Sequence, residues 1–193
     1  MKKILTMIVF STLAFSQTYN MQIQIGVKDG VKVGDYEKAM IQHNKAHATD
    51  LGAATTYQII NGPDAGDYIR MPKSIFTSAD MIDAVFNEWQ NHDPVPYDKF
   101  DGKMVEGRNG TVFYTLRPDL SYNPQVKTWK YLRQSKWNVR QGGQSSAESI
   151  FKLANEIRDE LGSDEHFVCM VSNTGQPFNE YYLFQVMIHS QRP

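Results

Sequence analysis

Between Met21 and Val27 the chain alternates Ile23, Ile25 and Val27 with Gln22, Gln24 and Gly26. A period of two with one polar side predicts a half-buried strand. Beyond the turn in KDGVKVG the period changes. Tyr36, Met40, His43 and His47 follow steps of four, three and four, so they share one face of a helix, with Glu37, Lys38, Gln42 and Lys45 on the other. Asp35 is placed to cap this helix and Gly52 to stop it. Ala54–Ile60 and Asp67–Met71 read as two more strands. Asn61, Gly62, Pro63, Asp64 and Gly66 between them supply the backbone angles that a hairpin connection needs.

A second helix is expected from Thr77 or Ser78, with Ile82, Val85, Phe86 and Trp89 as its buried stripe, ending before Pro94. His92 to Gly110 is rich in Pro, Gly and Asp and reads as a loop. Thr111–Arg117 is apolar or aromatic on both faces, as a central strand should be. Tyr131 to Val139 alternates again and predicts a strand. Ser145-x-x-Glu148 then has the form of a capping box, opening a helix whose core stripe is Ile150, Leu153, Ala154, Ile157 and Leu161. His166–Ser172 and Glu180–Ile188 are the last strands expected, joined around Asn173 to Gly175.

Strand, helix, strand, hairpin and strand thus occur twice. The first half adds a second helix and the Thr111 strand, which completes the βαββαβ order of a ferredoxin-like unit. The second half stops before a second helix. The fold class expected is α+β: tandem ferredoxin-like halves, residues 17–117 and 118–193, with antiparallel sheets packed face to face and the second half incomplete.

Residues 1–16 carry Lys2 and Lys3, an apolar run from Ile4 to about Phe15, and small residues at Ala14 and Ser16. That three-part order is the pattern of a secretory signal, cleaved near Ser16/Gln17, and implies a secreted or periplasmic product. The apolar run is shorter than the ~20 residues a spanning helix requires. Apolar residues make up 41% of the chain and suit a globular protein. The formal net charge of −1, with no basic block, argues against a nucleic-acid partner. Cys169 is the only cysteine, so no internal disulfide forms; within FVCMV it reads as a buried, inert thiol.

The sharpest chemical pattern is His43-x-x-x-His47. Imidazoles four residues apart lie one turn above each other, so both can reach one ion. A zinc site needs a third ligand, for which His92 or Asp93 is available, whereas haem needs one axial histidine. Against a metal, no Glu follows the first histidine as in metalloproteases and the spacing is common by chance, so satisfied, partly buried histidines at a helix rim are the favoured reading. Tyr36, Tyr57 and Trp89, with Trp137, Tyr182 and Phe184, could line an aromatic pocket or simply fill a core. The candidate pocket is therefore Tyr36, His43, His47, Tyr57, Trp89 and His92. No serine elbow, phosphate loop or Cys/His cluster is present.

The strand–helix–hairpin order, the Ile60-Asn-Gly-Pro63 turn, the His43-Asn-Lys-Ala-His47 helix and Asn91-His-Asp93 together resemble the dimeric α/β-barrel superfamily, and within it uncharacterised exported bacterial members. The superfamily includes small monooxygenases, and the resemblance implies ligands held between sheet and helices. Two functions remain open. One is an exported small-ligand-binding or interaction protein, possessing no catalytic motif and able to form a homo-oligomer. The other is a small oxidoreductase, cofactor-free or using haem or a divalent metal at His43 and His47.

Overall fold

The computed structural model describes residues 18–48, 51, 53–73, 75–90, 102–124, 131–174 and 179–186. The expected leader, His92 and Asp93 lie outside these residues. The elements are β1 (Tyr19–Val27), α1 (Val33–Ala46), β2 (Ala54–Gln58), β3 (Tyr68–Pro72), α2 (Ala79–Gln90), β4 (Val105–Leu116), β5 (Leu132–Asn138), α3 (Gln144–Glu160), β6 (Phe167–Thr174) and β7 (Glu180–Val186). This is the order that the alternating periods predict: βαββαβ followed by βαββ.

All seven described strands belong to one antiparallel sheet, in the order β2-β3-β1-β4-β6-β7-β5. The expectation of two separate sheets packed face to face is therefore corrected. The halves join edge to edge, because β4 pairs directly with β6 from Phe113↔Thr174 to Leu116↔Met170. Opposed faces arise instead from curling. On the inner side, Met71 of β3 and Val112 and Tyr114 of β4 form one buried cluster with Val168 and Met170 of β6 and Tyr182 and Phe184 of β7.

The three helices cover the outer side. Tyr36 and Met40 of α1 pack on Ile25, Tyr68 and Val105. Val85 and Phe86 of α2 pack on Met21, Phe76 and Phe113. Phe151 of α3 packs on Cys169, Tyr181 and Leu183. Alternation along each strand sends neighbouring residues to opposite faces, so Met21, Ile23 and Ile25 turn to the helices while Gln22 and Gln24 turn inward. In the β2–β3 hairpin, Gly62 and Gly66 have φ of +99° and +102°, angles that glycine adopts without a Cβ penalty. The hairpin is closed by Ile59 N–H donating to the Asp67 carbonyl and Gly66 N–H to the Ile59 carbonyl.

Several local expectations change. α1 begins at Val33 after Lys32, so Asp35 sits in the first turn and does not cap the helix. α3 begins at Gln144 after Gly143 with no side-chain cap, and Glu148 is drawn to Arg117 and Tyr181 instead of a capping box. β4 starts at Val105, inside the stretch expected to be loop, because Val105–Gly107 pair with Ile25–Val27 of β1. The largest correction concerns α3: Ile150 (57%), Leu153 (55%), Ile157 (47%) and Leu161 (78%) are exposed. The buried residue on that helix is Phe151.

Candidate functional site

The inner face of the curled sheet holds a cavity of about 520 Å³. Its apolar wall includes Ile69 and Met71 of β3, Val112 of β4, Leu132 of β5 and Phe184 of β7. Polar residues are interleaved with these at inward positions: Gln22 and Gln24 of β1, Tyr114 of β4, Gln134 and Lys136 of β5 and Tyr182 of β7, with Gln22 beside Val112 and Gln134 beside Phe184. The hairpin residues Ile60 to Asp64 stand at its rim.

These polar groups form a connected network. The Tyr114 hydroxyl donates to Gln22 Oε1 at 2.6 Å, and Gln22 Nε2 donates to Gln134 Oε1 at 3.0 Å. The Tyr114 and Tyr182 rings meet edge to face with centroids 4.8 Å apart. The Tyr182 hydroxyl donates to Glu180 Oε2 at 2.9 Å, and Glu180 Oε1 pairs with Lys136 Nζ at 2.7 Å. Glu180 is 4% exposed, so its charge needs both partners. Burial pushes both phenols above their ordinary range, with the Glu180 carboxylate adding to the effect at Tyr182. Both therefore stay protonated near neutrality and serve as donors. Burial opposes the Lys136 charge, but hydrogen bonding to Glu180 together with the charge and hydrogen-bonding effects of Glu180 and Tyr182 outweighs it and holds the ammonium above its usual range.

Such a wall combines hydrogen-bonding groups with apolar surface. The carboxamides offer donors and acceptors in fixed places, while the Tyr, Phe and Met surfaces pack against flat apolar groups. The one charged pair on this wall is internally matched, so it confers no strong preference for an anion or a cation.

Of the six pocket residues expected from sequence, none lines this cavity among its described lining residues. Tyr36 and His43 are buried on the outer side, beneath α1, and His47 is its C-terminal cap. The His43 and His47 rings do meet, with centroids 5.1 Å apart at a steep angle. Tyr57 packs against the inner cluster, and Trp89 packs on Phe86 at the outer face. Tyr182 and Phe184, from the wider aromatic set, do line the cavity. Arg70 sits on the outer side and donates to Asn44 Oδ1 of α1 at 3.4 Å.

No histidine or cysteine is among the described residues lining the cavity, so it offers haem iron neither imidazole nor thiolate. Among the described residues no three His, Cys, Asp or Glu side chains cluster as a metal site would require. Cys169 is buried against Leu120 and Phe151, and burial pushes its thiol up to about 12. Among the described residues no helix is long and apolar enough to cross a membrane.

Gln22, Gln24, Tyr114, Gln134, Lys136 and Glu180 were not singled out by sequence reasoning. The signal available was the alternation itself, which marks Gln22 and Gln24 as one side of a strand without saying what that side faces.

No protein-family model and no curated protein matches the chain. Solved structures do. A candidate monooxygenase from Fusobacterium nucleatum superposes with a TM-score of 0.61 at 11% identity, over 89% of this chain and 76% of that one. One from Lactobacillus acidophilus gives 0.52 at 11% identity, over 88% and 76%. A mutant chlorite dismutase from Candidatus Nitrospira defluvii gives 0.53 at 7% identity, over 88% and 76%. The chain thus has an α+β architecture, a curled antiparallel sheet with helices outside, and shares that fold with chlorite dismutase and the candidate monooxygenases.

Proposed function

We propose that this is an exported protein that binds a small, neutral, partly planar molecule on the inner face of its curled sheet. The observation that carries this reading is the mixed cavity wall, in which Gln22, Gln134, Tyr114 and Tyr182 are interleaved with Met71, Val112 and Phe184. Gln134 and Lys136 are exposed along this wall and retain donors that a ligand can engage. A ligand bearing carbonyl or hydroxyl groups on a flat apolar frame would satisfy them while burying its own surface. Export rests on the charged, apolar and small-residue order of residues 1–16.

A screen of neutral phenols, quinones and lactams by thermal shift and native mass spectrometry tests the binding reading. It expects at least one class to bind wild type and to bind Gln134→Leu and Tyr182→Phe more weakly. No binding across the three classes, or binding that both variants leave unchanged, would sink it.

The alternative, a cofactor-free oxidoreductase, draws support from the fold likeness to the candidate monooxygenases. Oxygen uptake with a bound phenol discriminates the two: a ligand-binding protein holds the phenol unchanged, whereas an oxygenase consumes dioxygen in proportion to product. Fold alone does not choose between them.

A further inference from the structure

The ion pair on the cavity wall is matched in charge but not in burial. Lys136 Nζ lies 2.7 Å from Glu180 Oε1, yet the lysine side chain is 40% exposed and that of the glutamate 6%. Lys136 lines the cavity, and Glu180 is not among the described residues that do. The pair is therefore a dipole with its positive end at the cavity wall and its negative end buried behind it.

Hydrogen bonding at this end of the wall is uneven in the same sense. The Tyr114 hydroxyl donates to Gln22 Oε1, Gln22 Nε2 to Gln134 Oε1 and the Tyr182 hydroxyl to Glu180 Oε2. The carboxamide and carboxylate oxygens here are thus already accepting, and each phenol has committed its single proton. Donors remain on two side chains. A carboxamide nitrogen carries two N–H groups, and Gln134 Nε2 donates to none of the described residues. An ammonium carries three, of which Glu180 and Tyr182 engage no more than two at Lys136. Gln134 and Lys136 stand two residues apart on β5, so they share its inward face. Across the β5–β7 pairing, Phe184 lies beside Gln134 and Tyr182 beside Lys136, so each donor borders a ring.

We propose that Gln134 and Lys136 form the anchoring subsite of the cavity and that it takes a carbonyl oxygen, so that the ligand is a flat ketone, quinone or lactam rather than a phenol or an alcohol. This rests on the reading of the inner face as a small-molecule site and narrows its ligand class. A carbonyl oxygen has lone pairs for both donors and brings no proton of its own. A hydroxyl brings a proton to a place whose side-chain oxygens are already engaged. A carboxylate would meet the buried Glu180 charge just behind Lys136, whereas a neutral carbonyl meets the positive end of the pair with little of that repulsion. With its oxygen held at β5, the flat remainder of the ligand lies along Phe184, Val112 and Met71.

The test uses the full chain and three probes of one shape: fluorenone, fluorenol and fluorene, which carry a carbonyl, a hydroxyl and neither. Calorimetry gives their affinities for wild type, Gln134→Leu and Lys136→Met/Glu180→Gln. The double variant removes the ammonium together with its buried counter-charge, and thermal melts verify folding; Gln134 is exposed, so Gln134→Leu decides alone where the double variant is unstable. Fluorenone is expected to bind wild type roughly tenfold more tightly than the other two, and each variant to erase most of that margin. Its carbonyl stretch, read by infrared difference spectroscopy, should fall on binding to wild type and recover in the variants, because hydrogen bonding weakens the C=O bond. Fluorene or fluorenol binding as tightly as fluorenone would overturn the subsite alone, as would a margin and a stretch that the variants leave unchanged. Binding of none of the three would overturn the small-molecule reading along with it.

Discussion

Gln22 of β1 and Gln134 of β5 share a hydrogen bond of 3.0 Å, although their strands stand four places apart in the sheet. In a flat sheet four intervals of ~4.8 Å would hold those backbones about 19 Å apart, well beyond the reach of two glutamine side chains. The contact therefore measures the curl that turns one continuous sheet into a wall around a cavity. It also joins the halves of the chain at a point where their backbones do not pair.

Removing either end of this contact should have unequal consequences. Gln22 is buried and accepts from Tyr114, whereas Gln134 has only the cross-cavity bond among the hydrogen bonds described. Gln134→Leu should cost about 1 kcal/mol, a typical net hydrogen bond. Gln22→Leu should cost about 1–3 kcal/mol, because the buried Tyr114 hydroxyl loses its acceptor. Urea denaturation of both single variants and the double variant gives the comparison. Equal costs would mean that the Tyr114 bond adds nothing to the fold.

Within α3, neighbouring large side chains should behave in opposite ways. Phe151 is buried against Cys169, Tyr181 and Leu183 and touches Trp137, so Phe151→Ala should cost about 3–5 kcal/mol. Leu153 is 55% exposed, so Leu153→Ala should change stability by less than about 0.5 kcal/mol. Denaturant midpoints decide the matter. A large loss at Leu153 would mean that something of the chain covers the stripe after all.

That contrast marks how much the sequence could disclose. Periodicity placed the three helices and seven strands of the described residues, because a period of 3.6 or 2 follows from the backbone itself. It identified Tyr36 and His43 as the buried face of α1 for the same reason. It failed on α3, where an apolar stripe tells of a surface needing cover but not whether the fold supplies one. It failed also at the cavity. Gln22 and Gln24 form the polar side of an alternating strand, and the same pattern describes a side facing water or one facing an enclosed polar space. Only the curl, which brings Gln22 to Gln134, separates the two. A single sheet in place of two stacked ones was hidden likewise, since edge pairing between halves leaves no period.

Acid should loosen the protein through one cluster beneath α3. Arg117 donates to Asp119 at 2.9 and 2.8 Å and to Glu148 at 2.5 Å. Hydrogen bonding to Arg117 holds both carboxyls below their ordinary values of 3.8 and 4.5. The folded protein then binds fewer protons at these sites than the unfolded chain. Their contribution is complete above the unfolded values and is lost as pH falls through the lower, folded ones. Tm should decline between about pH 5 and about pH 3, and Arg117→Met should flatten that decline. An identical acid slope in the variant would assign the loss to other groups.

Cys169 should be chemically silent until the protein opens. Its side chain is fully buried and its thiol is pushed up to about 12, so thiolate, the reacting form, is scarce at neutral pH. Native protein should resist iodoacetamide and label fully in denaturant, as mass spectrometry can follow. Fast labelling of the folded chain would show that β6 and α3 separate readily.

The final prediction concerns His43 and His47, whose rings touch beneath and at the end of α1. The spacing that makes them a candidate metal pair also makes them ordinary packing neighbours, and the cavity lies on the other side of the sheet. His43 is 3% exposed, so His43→Ala should lower stability by about 1–3 kcal/mol, the usual cost of emptying a buried polar position. His47, at the helix end and partly exposed, should cost less. Titrating Zn²⁺ and haemin into wild type, His43→Ala and His47→Ala separates packing from ligation. For packing residues, uptake is the same in all three proteins and only the melting curves differ. Ligands behave otherwise: wild type takes up zinc or haemin, each single variant loses it while keeping its fold, and zinc uptake falls as protons compete for the same nitrogens. That second outcome would move the functional site to the outer face of the sheet, under α1, and place the oxidoreductase reading ahead of simple binding.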